Sequence, residues 1–356
     1  MKNITFLALF ILNTACFAGN ILPPATAVGE GDQPQVSMDT RGIIRLVFGR
    51  ADSIFCAASG NAGTAFSKPV FVGHVAGMHL GNTRGPQIAS SADYTMISAM
   101  DQTGNIHCYR LKHNGNRWEY KGLMNDLPGT APEGLMSLAA DNQNNFYAVW
   151  LDVRQGKHNN ICFSSLKAGA GGWQKSKLIY TSPDGHVCEC CKPSITVSGN
   201  KVVVMFRNWL NGSRDLYVQV SDNGGKSFGN AKKLGSETWK LNGCPMDGGS
   251  IRIDKQNAIH TTWQRAGKVY YCVPGTKERE LAAGRACSMP VNQSSDKNVI
   301  VSLQHEGNIK LINVETAKEE LVGKGAFLQS MLLPGKKILC VWEQDKMILT
   351  AVVVAP

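Results

Sequence analysis

Apolar and polar residues alternate with period two in short runs along almost the whole chain. Seven such runs, at residues 43–48, 94–99, 146–150, 202–206, 259–263, 299–303 and 338–342, mostly end on or near an aromatic or apolar residue. Each is followed, after a polar turn, by a second run: 54–58, 106–111, 161–165, 216–221, 269–273, 309–314 and 347–352. Shorter runs lead several units (35–38, 87–90, 194–197, 250–253), and others trail them (69–72, 177–180). Period two with turn residues between the runs predicts β-strands. A unit of about 40–50 residues with four strands, repeated, predicts propeller blades. The spacing therefore predicts an all-β chain forming a single propeller of seven four-stranded blades. Six is the alternative count, because the last two units are short and degenerate. The seventh unit lacks a fourth strand, and residues 21–28 are predicted to supply it, closing the ring and removing two free sheet edges.

Composition supports this reading. Of 356 residues only 18% are charged and 37 are Gly, which suits turn-rich β structure. At the N-terminus Lys2 precedes an apolar run at 4–12 and small residues up to Ala18. That run is too short to span a bilayer and reads as a signal peptide, residues 1–18, cleaved after Ala18. Cys16 raises a lipid-anchor alternative, although Asn13 stands where such a site wants Leu. No later segment is long and apolar enough to form a transmembrane helix. Residues 19–356 are thus expected to be one exported propeller domain, secreted or periplasmic. The net charge of +10 favours acidic partners. No Lys/Arg block or nucleic-acid motif is present, so nucleic acid is not expected among them.

Two turns after third strands share one pattern. Ser59-Gly60-Asn61-Ala62-Gly63-Thr64-Ala65-Phe66 and Ser221-Asp222-Asn223-Gly224-Gly225-Lys226-Ser227-Phe228 both read Ser-x-Asn-x-Gly-x-x-Phe. The pattern resembles the Asp-box (BNR) repeat of sialidase-like propellers, with Asn in place of Asp. The stretch from Cys188-Glu189-Cys190-Cys191 through Arg207-Asn208 and Arg214-Asp215 to Cys244-Pro245-Met246 is similar to a cysteine-bearing bacterial subgroup commonly labelled exo-α-sialidase. The resemblance implies a glycosidase acting on an acidic glycan, or an idle relative that binds one. It also implies that the Asp-box turns lie on the face opposite the active site. Family members hold the sugar carboxylate with three arginines. Arg84, followed by Gly85-Pro86, is the nearest match to the first, with Arg207 and Arg265 placed by register. No Tyr matches the family nucleophile. Asp152 or Asp247 stands for the acid, and Glu133 with Asp247 is the carboxylate pair that a general glycosidase would need.

Blade geometry gathers candidates far apart in sequence. Loops leaving second strands and loops joining blades must share a face. Arg207, Arg214, Asp215, Asp247 and Trp239 should therefore lie close together, where paired guanidinium groups could fork a carboxylate and Trp239 could stack on a sugar ring. The cysteines divide by the same logic. Removal of the signal takes Cys16 and leaves ten of eleven. Cys56, Cys108, Cys162 and Cys272 fall at one third-strand position in different blades, too far apart to bridge, and are expected to be buried thiols. Cys340, in a second strand, reads likewise. Cys188, Cys190, Cys191, Cys244 and Cys287 fall on inter-blade loops of one face. Two readings stand for them. Disulfides could pin the loops. Alternatively, thiolates with Met246 could hold a soft metal, copper as Cu(I) foremost, or present a reactive thiol pair.

Overall fold

The computed structural model describes residues 22–291 and 298–356. The signal segment, its cleavage after Ala18 and Cys16 lie outside these residues. Strand β1 (Thr26–Glu30) leads the chain. The first blade holds β2 (Asp32–Met38), β3 (Ile44–Arg50), β4 (Ser53–Ser59) and β5 (Val70–His74), and the second β6 (Gln87–Ser90), β7 (Tyr94–Met100), β8 (Ile106–Lys112) and β9 (Trp118–Leu123). The third holds β10 (Met136–Ala140), β11 (Phe146–Asp152), β12 (Asn160–Leu166) and β13 (Lys177–Tyr180). The fourth holds β14 (Ser194–Ser198), β15 (Lys201–Arg207), β16 (Leu216–Ser221) and β17 (Lys232–Lys233). The fifth holds β18 (Ser250–Ile253), β19 (Ile259–Arg265), β20 (Lys268–Cys272) and β21 (Arg279–Ala283), and the sixth β22 (Arg285–Ser288), β23 (Ile300–His305), β24 (Asn308–Asn313) and β25 (Glu319–Lys324). The seventh is built from β26 (Ala326–Leu333), β27 (Lys337–Gln344) and β28 (Met347–Val354), with β1 as its outer strand.

All seven sheets are antiparallel and four-stranded, as the seven-unit count predicts. Closure comes from the N-terminus: Thr26 pairs with Thr350 and Glu30 with Met347. The closing strand starts later than the predicted 21–28. Pro23 and Pro24 carry no N–H for a ladder, so pairing begins only after them. The core lies between blades. Second strands bury nearly every residue, as in β11, because both of their faces are covered by neighbouring blades. Trp150 and Trp342, in register on β11 and β27, are fully buried.

The two Asp-box turns fold alike. Ser59 Oγ donates to Asn61 Oδ1 at 2.8 Å, the Gly63 N–H donates to Ser59 Oγ at 3.0 Å, and the Ala65 N–H donates to Asn61 Oδ1 at 3.1 Å. Ser221, Asn223, Gly225 and Ser227 repeat the set at 2.9, 3.0 and 3.0 Å. Gly63 and Gly225 both have φ near +78°, where a side chain would be strained. Cys56, Cys108, Cys162 and Cys272 are buried free thiols in the third strands β4, β8, β12 and β20, and Cys340 is buried in β27. No helix among the described residues is long and apolar enough to cross a membrane.

Candidate functional site

Two loops on one face of blades four and five meet over the end of β15. The first, residues 186–192, is tied down where the Cys188 N–H donates to Arg207 O at 3.0 Å and the Val187 N–H to Asn159 O at 2.9 Å. The second, residues 239–249, is tied by the Arg214 N–H to Trp239 O at 2.9 Å and the Trp239 N–H to Asp215 Oδ1 at 2.8 Å. Arg207 joins the two from beneath. Its Nε and Nη2 donate to Asp247 O at 3.1 and 2.9 Å, Nη1 donates to Arg214 O at 2.7 Å, and Nη2 also reaches Gln264 O at 2.8 Å. Gly248 lets the loops touch: a Cβ there would overlap the Lys192 carbonyl.

This arrangement brings four cysteines together. Cys190 and Cys244 are disulfide-bonded, with Cα atoms 6.2 Å apart. Cys188 Sγ lies 3.4 Å from Cys191 Sγ and 3.8 Å from Cys190 Sγ. The ligand atoms of Cys188, Cys190 and Cys191 all fall within 4.8 Å of one another. Cys188 and Cys191 are buried, Cys190 is half-buried and Cys244 is exposed, so the disulfide caps the free pair. Arg214 Nη1 donates to Cys188 Sγ at 3.0 Å. The hydrogen bond with Cys191, then the charges of Arg207 and Arg214, outweigh burial and pull Cys188 well below the usual thiol range. Burial and the neighbouring Cys188 push Cys191 well above it. Of the pair, Cys188 is therefore the thiol that ionises more readily.

The other candidates are placed as follows. Arg207 is 1% exposed and its donors are taken by main-chain carbonyls, so it cannot fork a carboxylate. Its Cζ lies 5.4 Å from the ring centroid of half-buried Trp239. Arg214 is occupied by Cys188 and by Leu241 O at 3.3 Å, and lies 4.5 Å over Trp209. Asp215 is buried and caps the Trp239 N–H. Arg265 pairs with Glu278 at 2.6 Å. Arg84 pairs with Glu133 Oε2 at 3.3 Å and donates through Nε to Glu133 O at 2.5 Å. Asp152 is fully buried and accepts from Trp150 Nε1, Thr130 Oγ1 and Arg154. Asp247 is buried, and its carboxylate accepts from the Ala286 and Gly249 N–H groups. Burial still raises its pKa above the ordinary carboxylate value. Glu133 and Asp247 thus each already have partners within the protein.

Cys287 departs from the expected five-cysteine cluster. It lies within β22 rather than on a loop, buried among Val269, Met289 and Val301. Burial, followed by the nearby Asp247, raises its thiol far above the ordinary value. Met246 belongs to the second loop, half-buried and with φ of 51°. Sequence reading passed over Lys192 and Arg252, which line a central cavity. A charged residue inside the short inner strand β18 was the available signal, since one face of an inner strand must look onto the axis.

No protein-family description matches the sequence, and no curated protein sequence matches it. Solved structures of similar shape exist at low identity. The YCF48 structure bound to D1 peptide is 11% identical with a TM-score of 0.56, over 93% of this chain and 96% of that one. The β-propeller domain of the trilobed protease from Pyrococcus furiosus, described as having an open velcro topology, is 10% identical with a TM-score of 0.52, over 91% and 96%. SapL1 lectin in complex with alpha methyl fucoside is 11% identical with a TM-score of 0.52, over 87% and 98%. These likenesses establish the propeller fold and nothing finer.

Proposed function

We infer that this chain is a non-catalytic propeller that binds a soft metal ion, Cu(I) foremost, through the thiolates of Cys188 and Cys191 and, once the Cys190–Cys244 disulfide is reduced, those of Cys190 and Cys244. The observation that carries the reading is the spacing of the sulfurs. In a tetrahedral site with metal–sulfur distances of about 2.3 Å, ligand sulfurs stand about 3.8 Å apart. The separations of 3.4 and 3.8 Å around Cys188 match one ion. The donors grouped there are all sulfur, with Met246 on the adjoining loop, and sulfur selects Cu(I) by softness. Arg214 and buried Arg207 would balance the charge of the thiolates. The signal-like N-terminus fits a protein that meets copper outside the cytoplasm.

A second reading rests on the Cys190–Cys244 disulfide itself. A thiolate at Cys188, 3.8 Å from Cys190 Sγ, is placed for thiol–disulfide exchange. The acidic-glycan reading, as sialidase or sugar-binding relative, has less support, because Arg84, Arg207, Arg214 and Arg265 each already have partners within the protein.

The three readings separate in one set of assays on reduced protein. A thiolate-to-metal charge-transfer band on Cu(I) addition, with no calorimetric response to sialic acid or sialosides, supports the metal reading. Hydrolysis of a fluorogenic sialoside, or saturable sialic acid binding, would replace it with the glycan reading. Reduction of an added disulfide substrate, without a charge-transfer band, would replace it with exchange.

A further inference from the structure

The propeller axis encloses a cavity of about 360 Å³. The seven inner strands face it mostly with neutral polar side chains, among them Gln35, Ser90, Ser137, Thr196 and Gln329. Its charged lining residues are Lys192, Arg252 and Asp247. The carboxylate of Asp247 is already engaged by the N–H groups of Ala286 and Gly249.

The two cations are not matched by acids. Lys192 Nζ donates at 3.0 Å to Gln87 Oε1, a neutral amide, held by its own Nε2 donating to Gly85 O and Pro86 O. Arg252 donates from Nε to Pro290 O at 3.1 Å and from Nη1 to Ile251 O at 2.8 Å. Every partner described for either group is neutral. Both side chains are half-buried and keep surface open to the cavity. They come from adjoining blades and line the same cavity.

Two like charges, half-buried side by side and without a paired acid, are costly. No hydrogen bond or ion pair described for either group reaches an acid, and the Asp247 carboxylate of the same cavity accepts from main-chain N–H groups instead. An ordinary buried Lys or Arg of a fold is paired. We propose that the central cavity is a binding site for a small dianion, either an inorganic oxyanion such as phosphate or a short dicarboxylate. The dianion would sit between Lys192 and Arg252. Arg252 would offer its remaining N–H groups as a planar fork and Lys192 its remaining ammonium hydrogens. The ring of Ser, Thr and Gln side chains would complete the shell with neutral donors. Such hydrogen bonds are charge-assisted, and the enclosed setting strengthens them. Nothing here depends on the thiol site, although Lys192 directly follows Cys191 in the chain.

Calorimetric titration of the full chain at low ionic strength tests this, with inorganic phosphate, sulfate and succinate as separate probes. The expected result is saturable one-to-one binding of at least one probe. Arg252→Met and Lys192→Met should each weaken it by about tenfold or more, the loss of one hydrogen bond to a charged group. Lys346→Ala, at an exposed surface pair with Asp32, should leave it unchanged. Preference for phosphate and sulfate over succinate assigns an oxyanion, and the reverse a dicarboxylate. Should the cavity variants fail to fold, thermal melting of wild-type protein reads the same site. The preferred dianion should then raise the melting temperature above that in sodium chloride of equal ionic strength. Equal melting in all salts, no saturable binding of any probe, or binding undiminished in Arg252→Met would overturn the proposal.

Discussion

Cys188 Sγ lies 3.4 Å from Cys191 Sγ and accepts a hydrogen bond from Arg214 Nη1 at 3.0 Å. With both thiols protonated, Cys188 can donate to Cys191. Once Cys188 ionises, the Cys191 proton turns towards it. The hydrogen bond and the guanidinium groups thus favour the ionised form of Cys188 and leave Cys191 protonated. Wild-type protein should show ultraviolet thiolate absorbance at neutral pH, and Cys188→Ser should abolish it. Arg214→Met should move its appearance to higher pH. The sign for stability follows. The folded pKa lies below the unfolded one, so the contribution of Cys188 is complete above the ordinary thiol pKa and is lost as pH falls through the folded value. Absorbance at neutral pH that persists in Cys188→Ser would assign the thiolate elsewhere.

Arg207 should matter to stability more than any surface arginine. It spans Asp247 O, Arg214 O and Gln264 O, which belong to parts of the chain up to 57 residues away. Arg207→Met leaves those buried carbonyls without donors and should cost about 3–5 kcal/mol in denaturant unfolding. A cost under about 1 kcal/mol, the usual worth of an exposed charge, would mean that water replaces the guanidinium there.

Glu278 governs an acid-side dependence. Burial raises its pKa, but the N–H groups of Ser236 and Glu237 and the Arg265 guanidinium outweigh that and bring it to about 2. A depressed carboxylate stabilises fully above its unfolded pKa near 4.5 and loses that contribution as pH falls through about 2. Glu278→Gln should therefore be less stable than wild type by about 1–2 kcal/mol at neutral pH. The difference should shrink towards pH 2, as melting curves across that range would show.

Asn223 should act on stability alone. Its Oδ1 accepts from Ser221 Oγ and from the Ser227 N–H, and Asn223→Ala removes both. A loss of about 1–2 kcal/mol is expected, with metal and anion binding unchanged. Any shift in affinity measured by calorimetry would show that the turn is coupled to the site.

The fold was legible because its signal is local. Period-two runs such as 202–206 and 338–342 report strands through their own residues, and the shared Ser-x-Asn-x-Gly-x-x-Phe turns fix the register between blades. Register alone also placed Cys56, Cys108, Cys162 and Cys272 as separate buried thiols. The site was legible only in part. Cys188, Cys190, Cys191 and Cys244 were read as meeting because their loops share a face. Cys287 was misplaced because β22 is a four-residue strand whose pattern resembles a loop. The role of Arg207 was hidden, since its partners are main-chain carbonyls and any residue type can supply one. Arg84 and Arg265 read as carboxylate-binding arginines and Asp152 as an acid, because pairing with Glu133, Glu278 and Arg154 leaves no periodic trace.

The central claim is that the sulfurs around Cys188 form one soft-metal site. Its most direct measurement is competition for Cu(I) between the reduced protein and a chromophoric copper chelator, under anaerobic conditions. The account predicts that wild-type protein withdraws one Cu(I) per chain. It predicts that Cys188→Ser and Cys191→Ser each lose that ability, while Cys287→Ser and Cys56→Ser keep it. Failure of the wild-type chain to compete, or competition that survives in Cys188→Ser, would contradict it.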